Sequence, residues 1–171
     1  TLGRLLRAFL AFPWAIPGTV FAIALGAAFS VHQPAMLRFG LVGTLWILPL
    51  AYLVRSLPLT SRTALAGLRQ LDPTLEDAAA SLGAGPWRRF TRVVLPLLRP
   101  SLIAGGGLAF VTMLGDFVTS IVLYTYETRP ISIEILSSLR LGETGVASAY
   151  GVLLMMISAA AFLVWGRDTP P

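Results

Sequence analysis

The chain holds 171 residues, 56% of them hydrophobic and 12% charged, with a mean hydropathy of +0.77; soluble domains carry about 25% charged residues, so much of this chain reads as solvated by lipid. Its formal charge of +5 comes from 13 basic residues, all Arg, and these flank apolar runs, which points to membrane orientation and away from nucleic-acid binding. With no Cys and one His, His32, the chain excludes disulfides, thiolate metal sites, a Cys nucleophile and a multi-His metal site of its own.

Four runs reach the roughly 20 apolar residues that cross a bilayer. The first, over 10–30, holds Pro13 and Pro17 near its start and follows Arg4 and Arg7. A signal peptide begins in that way, but this run is too long and further spans follow it. The chain therefore reads as truncated at its N-terminus. The second run covers 39–57 and contains Pro49. The third covers 97–118, or runs on to Tyr124 if bent, and contains Gly105, Gly106 and Gly107, which favour close helix approach or a flexible point in a gating helix. The fourth covers 147–165. Between the last two, the polar stretch 125–146 contains a short amphipathic helix over 131–141, with Ile131, Ile135, Leu136 and Leu139 on one face. The expected fold class is all-α: a polytopic membrane bundle of four transmembrane helices in a single domain.

Arg counting orients the bundle. Arg55, Arg62, Arg69, Arg88, Arg89, Arg92 and Arg99, with Arg4, Arg7 and Arg167 at the ends, fall on one side. Arg38, Arg129 and Arg140 fall on the other. Ten against three places both termini and the loop 58–96 in the cytoplasm, and 125–146 outside.

The cytoplasmic loop carries two helix signals. Asp72-Pro73 is a start signal, since Asp caps and Pro fits the first turn. Glu76 and Asp77 sit where the helix dipole favours negative charge, and Ala78, Ala79 and Ala80 are strong, small helix formers. Gly83 is a stop. Gly85-Pro86 restarts the chain, with Trp87, Phe90 and Val94 following. A helix over about 72–82 that is small on one face lets another protein approach its backbone. Trp87 and Phe90 are anchors of the kind enriched at interfaces.

This loop resembles the permeases of binding-protein-dependent ABC importers. Their pattern is E-A-A, three residues, G, nine residues, I, one residue, L-P. Here Asp77-Ala78-Ala79 is followed at that spacing by Gly83, then by Val93, then by Leu95-Pro96. Asp77 replaces the usual Glu and Val93 the usual Ile. The resemblance implies a type I importer permease fold, with Glu76, Asp77, Ala78, Ala79, Gly83, Trp87, Arg88, Leu95 and Pro96 as ATPase-coupling residues. Arg88 and Arg89 would meet acids on the ATPase or anchor at lipid headgroups. The implied partners are a cytoplasmic ATPase dimer that binds the ATP, a second permease subunit or half, and an external binding protein. The chain itself would bind no cofactor and perform no enzymatic reaction. It would sit in the bacterial inner membrane, with one or two N-terminal spans lying upstream.

For a substrate path the expected residues are Thr112, Asp116, Thr119 and Ser120, which share a face if their helix is continuous. Asp116 is the main charge at membrane depth, where a carboxylate faces a cavity, a partner or a helix end. The stretch 116–133 resembles permeases of the ferric-iron, thiamine and phosphonate branch, which implies ferric iron or such a solute as cargo; no metal-ligand spacing is present. An ion-coupled secondary transporter is the alternative, weakened by the lack of paired ionisable groups. A membrane enzyme would need a catalytic set, and none is visible.

Overall fold

The structure is a computed structural model that describes residues 2–30 and 40–166. His32, Arg38, the start of the second predicted span and Arg167 lie outside the described residues. Eight helices follow in order: α1 (Leu2–Ala15), α2 (Gly18–Ala28), α3 (Ile47–Gln70), α4 (Thr74–Ser81), α5 (Pro86–Leu114), α6 (Phe117–Leu123), α7 (Ile131–Arg140) and α8 (Thr144–Gly166).

Three expectations change. The first predicted span is not one rod: α1 and α2 meet at Pro17 with a bend of 100°. Pro17 lacks the N–H that a continuing helix needs. The second predicted span becomes α3, which starts at Ile47 and runs on to Gln70, so residues 58–70 are helical and not loop. Ala, Leu and Arg carry it past the end of the apolar run because all three are good helix formers. Pro49 falls in its first turn, where a missing N–H costs little. Loop 58–96 shrinks further because α5 already begins at Pro86.

Two described helices, α5 and α8, are long and apolar enough to cross a membrane, and the bent pair α1/α2 makes a third if counted as one span. This is fewer than the four spans expected. Although α3 has the length at 24 residues, it carries Arg55, Arg62 and Arg69, and these dilute its apolar character.

Close backbone approach builds the bundle. At Gly105 an added Cβ would meet Thr63 Oγ1 of α3 at 2.0 Å, and at Gly107 it would meet the Trp165 ring of α8 at 2.8 Å. Trp165 also packs edge-on against Phe110, with centroids 5.3 Å apart. Gly105 and Gly107 of the third predicted span are thus contact points for two neighbours, while Gly106 faces open space. Ala22, Ile47, Leu48, Ala51 and Leu123 form a core cluster that joins α2, α3 and α6.

Candidate functional site

The loop helix α4 is built from local signals. Asp72 Oδ1 accepts from the Thr74 N–H at 2.9 Å, while Leu75 N donates to Asp72 O and Glu76 N to Pro73 O, both at 3.1 Å. These bonds close the first turn, so the helix begins at Thr74, two residues inside the expected start. The hydrogen bonds from Thr74, backbone first and hydroxyl second, hold the Asp72 carboxyl below its ordinary range. Glu76 and Asp77 occupy the first turn.

At the other end the chain turns on Gly83, whose φ of +78° suits a residue without a Cβ. Ala84 N donates to Ala79 O at 3.0 Å and Gly83 N to Ala80 O at 2.9 Å, the paired bonds of a Schellman cap.

No residue of α4 is buried. Leu82 is 89% exposed and Trp87 is 77% exposed, and the Trp87 and Phe90 rings lie 6.2 Å apart. Small alanines flanked by bare apolar side chains make a surface suited to another protein. Arg88 is exposed beside them, and Arg89 is half-buried with an Nε that has no protein partner.

The second half of the motif does different work. Val93 and Val94 line a small hollow with Leu71, Leu75 and Leu97, under the start of α4. They are its seat. Residues 90–94 form an i→i+5 turn within α5, which inserts an extra residue into the helical register. Val94 and Leu98 are buried as a result, while Leu95 and Leu97 are exposed at 40% and 46%. Pro96 also lies on the exposed side. Leu95 and Pro96 therefore stand about 12 Å up α5 from Trp87, at 1.5 Å per residue, apart from the exposed patch. Leu75 is not among the residues the sequence points to; with Leu71 it forms an apolar pair that flanks the Asp72-Pro73 start.

The residues expected on a path divide into two groups. Because α5 ends at Leu114 and α6 begins at Phe117, Thr112 does not share a helical face with Asp116, Thr119 and Ser120. Thr112 is exposed and its hydroxyl donates to Leu108 O at 2.7 Å. Asp116 caps α6, accepting at Oδ1 from Val118 N at 3.1 Å and Thr119 N at 3.3 Å. Its Oδ2 is buried without a protein partner. Thr119 and Ser120 are fully buried. Arg55 Nη1 donates to Thr119 Oγ1 at 3.0 Å, and Ser120 Oγ bonds with the Tyr52 hydroxyl and with Asp116 O.

The cluster thus gains Arg55 and Tyr52, both from α3. Arg55, which the Arg count puts on the cytoplasmic side, lies inside the bundle. Its guanidinium lies over Gly18, where an added Cβ would fall 2.1 Å from Nη1, and its carbonyl accepts from Trp14 Nε1 at 2.9 Å. It ties the α1/α2 bend to α3 and α6. Among the described residues no three metal-ligating side chains come together.

The sequence profile described as "Binding-protein-dependent transport system inner membrane component" matches residues 1–166. The ferric transport system permease protein FbpB of Actinobacillus pleuropneumoniae is 34% identical over 150 residues, covering 88% of this chain and 21% of that relative. The sulfate transport system permease protein CysT of Escherichia coli is 32% identical over 173 residues, covering 96% of this chain and 62% of that relative. The chain thus spans less than two thirds of the length of either. A chain of the MetNI methionine ABC transporter, solved in inward-facing conformations, superposes with a TM-score of 0.79 at 19% identity, over 98% of this chain and 74% of that one.

Proposed function

The chain belongs to the inner membrane components of binding-protein-dependent transport systems, and from that we propose that it is the permease part of an ATP-driven importer, forming a stretch of the translocation path and coupling it to a separate ATPase. The observation that carries the proposal is α4, a capped helix with no buried residue, edged by the bare Leu82 and Trp87. In this reading Glu76, Asp77, Ala78 and Ala79 enter a cleft on the ATPase, and Gly83 turns the chain out of it. Trp87 and Arg88 complete the contact. Val93, Val94, Leu95 and Pro96 belong to the rigid helix that carries the ATPase's movement into the bundle.

ATP belongs to the ATPase dimer and not to this chain. A second permease subunit or half completes the path, and an external binding protein delivers the cargo. The Arg balance supports a cytoplasmic location for α4 and for both termini: with Arg55 moved into the bundle it remains nine against three. Asp116, Thr119 and Ser120 stand at the bundle's polar junction and Thr112 on the outer face of α5. Of these, Asp116 Oδ2 is the atom left for a passing solute. The names of the relatives support ferric iron or an oxyanion such as sulfate as cargo, and the 116–133 likeness adds phosphonate and thiamine.

Reconstitution with the cognate ATPase and binding protein tests the function. Uptake should require ATP hydrolysis and persist when ion gradients are collapsed. Uptake that survives ATP removal and stops with the gradient would instead identify an ion-coupled transporter.

A further inference from the structure

Between α1 and the C-terminal half of α3 lies a cleft of about 620 Å³, within the usual size of small-molecule sites, about 300–1,000 Å³. Its walls are mainly apolar, with Leu6 and Leu10 from α1 and Leu65 from α3, yet three guanidinium-bearing residues, Arg7, Arg62 and Arg69, line it and no carboxylate does. Arg62 and Arg69 are seven residues apart, so they project from one face of α3 about 10 Å from each other at 1.5 Å rise per residue.

Among the described residues no carboxylate pairs with any of the three. Arg7 Nε donates to Gly3 O at 2.9 Å, and Arg62 stands 6.0 Å over the Trp14 ring. Three like charges lining one apolar cleft repel one another unless an anion joins them. An apolar helix laid over them would strip their water and return nothing. A solute with an anionic head and a hydrocarbon body satisfies both walls.

We propose that this cleft binds an anionic phospholipid, its phosphate held between Arg7, Arg62 and Arg69 and its acyl chain lying against Leu6, Leu10 and Leu65. Basic pockets between helices at the cytoplasmic surface take such headgroups, and Arg69 sits in the last turn of α3, three residues before Asp72 leads into α4. The lipid would brace α3 just before the docking helix. This inference rests on the proposed orientation, which puts the cleft at the cytoplasmic leaflet, where anionic lipid is available.

Native mass spectrometry of the purified transporter complex, loaded with equimolar phosphatidylglycerol and phosphatidylcholine, tests it. The complex should retain phosphatidylglycerol selectively. R7Q/R62Q/R69Q should weaken retention roughly a hundredfold, and R69Q alone roughly fivefold, from the attraction one Arg exerts on anionic lipid. R140Q, remote in α7, should leave it unchanged. Equal retention of the two lipids, or selectivity that survives the triple substitution, overturns the proposal. If the triple variant does not assemble, R69Q and the charge-keeping R7K/R62K/R69K carry the test. The lysine variant must stay selective, and its loss of selectivity counts against a charge-based site. A Leu65→Cys probe that crosslinks to another subunit and not to a photoactivatable phosphatidylglycerol assigns the cleft to protein and also overturns it. Labelling of Gln70→Cys separates the two readings. Label entering from outside, with lipid selectivity intact, would sink the orientation and spare the lipid site. Label entering from the cytoplasm, with selectivity absent, would sink the lipid site alone.

Discussion

The segment 72–96 and the junction around Arg55 both place polar side chains in a largely apolar protein, and they satisfy them by opposite routes. In the segment, every cap bond joins residues within five positions of each other, as in Thr74 N to Asp72 Oδ1 and Ala84 N to Ala79 O. No residue of the helix between the caps is buried. At the junction, Arg55 reaches Thr119 and Tyr52 reaches Ser120, 64 and 68 positions away, and both partners on α6 are fully buried. A self-contained, exposed helix is free to serve a partner. A buried network that ties three elements together is committed to its own fold. Substitutions at the junction should therefore change stability, and those in the segment should change coupling.

The largest expected effect lies in the bundle. Gly105→Leu forces a side chain into Thr63 and should cost about 3 kcal/mol, seen as loss of a monodisperse peak in size-exclusion chromatography. The matching enlargement on α4, Ala79→Leu, should leave bundle stability within about 0.5 kcal/mol and, on the proposed role, lower ATPase association. Equal stability losses for the two would erase the contrast. Next comes Thr119→Val, which keeps the shape but removes the acceptor from Arg55. It should cost about 1–2 kcal/mol, measured by denaturant titration in lipid.

Gly83→Ala places a Cβ at φ +78° and should cost about 1 kcal/mol, confined to the loop. Hydrogen exchange should quicken at Gly83 and Ala84 and stay unchanged in α5. Smallest is the pH response of the Asp72 cap. Its carboxyl is held below the ordinary range by Thr74, so the cap is intact above that range and fails as pH falls through the lowered value. Protection of the Thr74 amide should drop there and at no higher pH.

How much of this was legible follows the same division. Helix α4 could be read because Asp72, Ala78–Ala80, Gly83 and Pro86 are short-range instructions, and α7 because its apolar positions repeat at helical spacing. The junction could not. Hydropathy ends the second span near Leu57 and the Arg balance assigns Arg55 to the cytoplasmic side, since no local feature of Arg55 announces Thr119. The shared face of Thr112 and Asp116 assumed a continuous helix, and the break after Leu114 removes it. Pro17 was visible in the sequence. That it bends the chain while Pro13 is carried inside α1 depends on the seat that Trp14 and Gly18 find against Arg55.

The proposal that α4 is the surface an ATPase grips can be tested at position 79. The chain contains no Cys, so Ala79→Cys gives a single reactive site. Paired with single-Cys variants of the cognate ATPase, it should crosslink in the assembled transporter, with a yield that changes on ATP addition, while a Cys at Val152 in α8 should not. A position 79 that never crosslinks, in a complex that still hydrolyses ATP and transports, would contradict the claim.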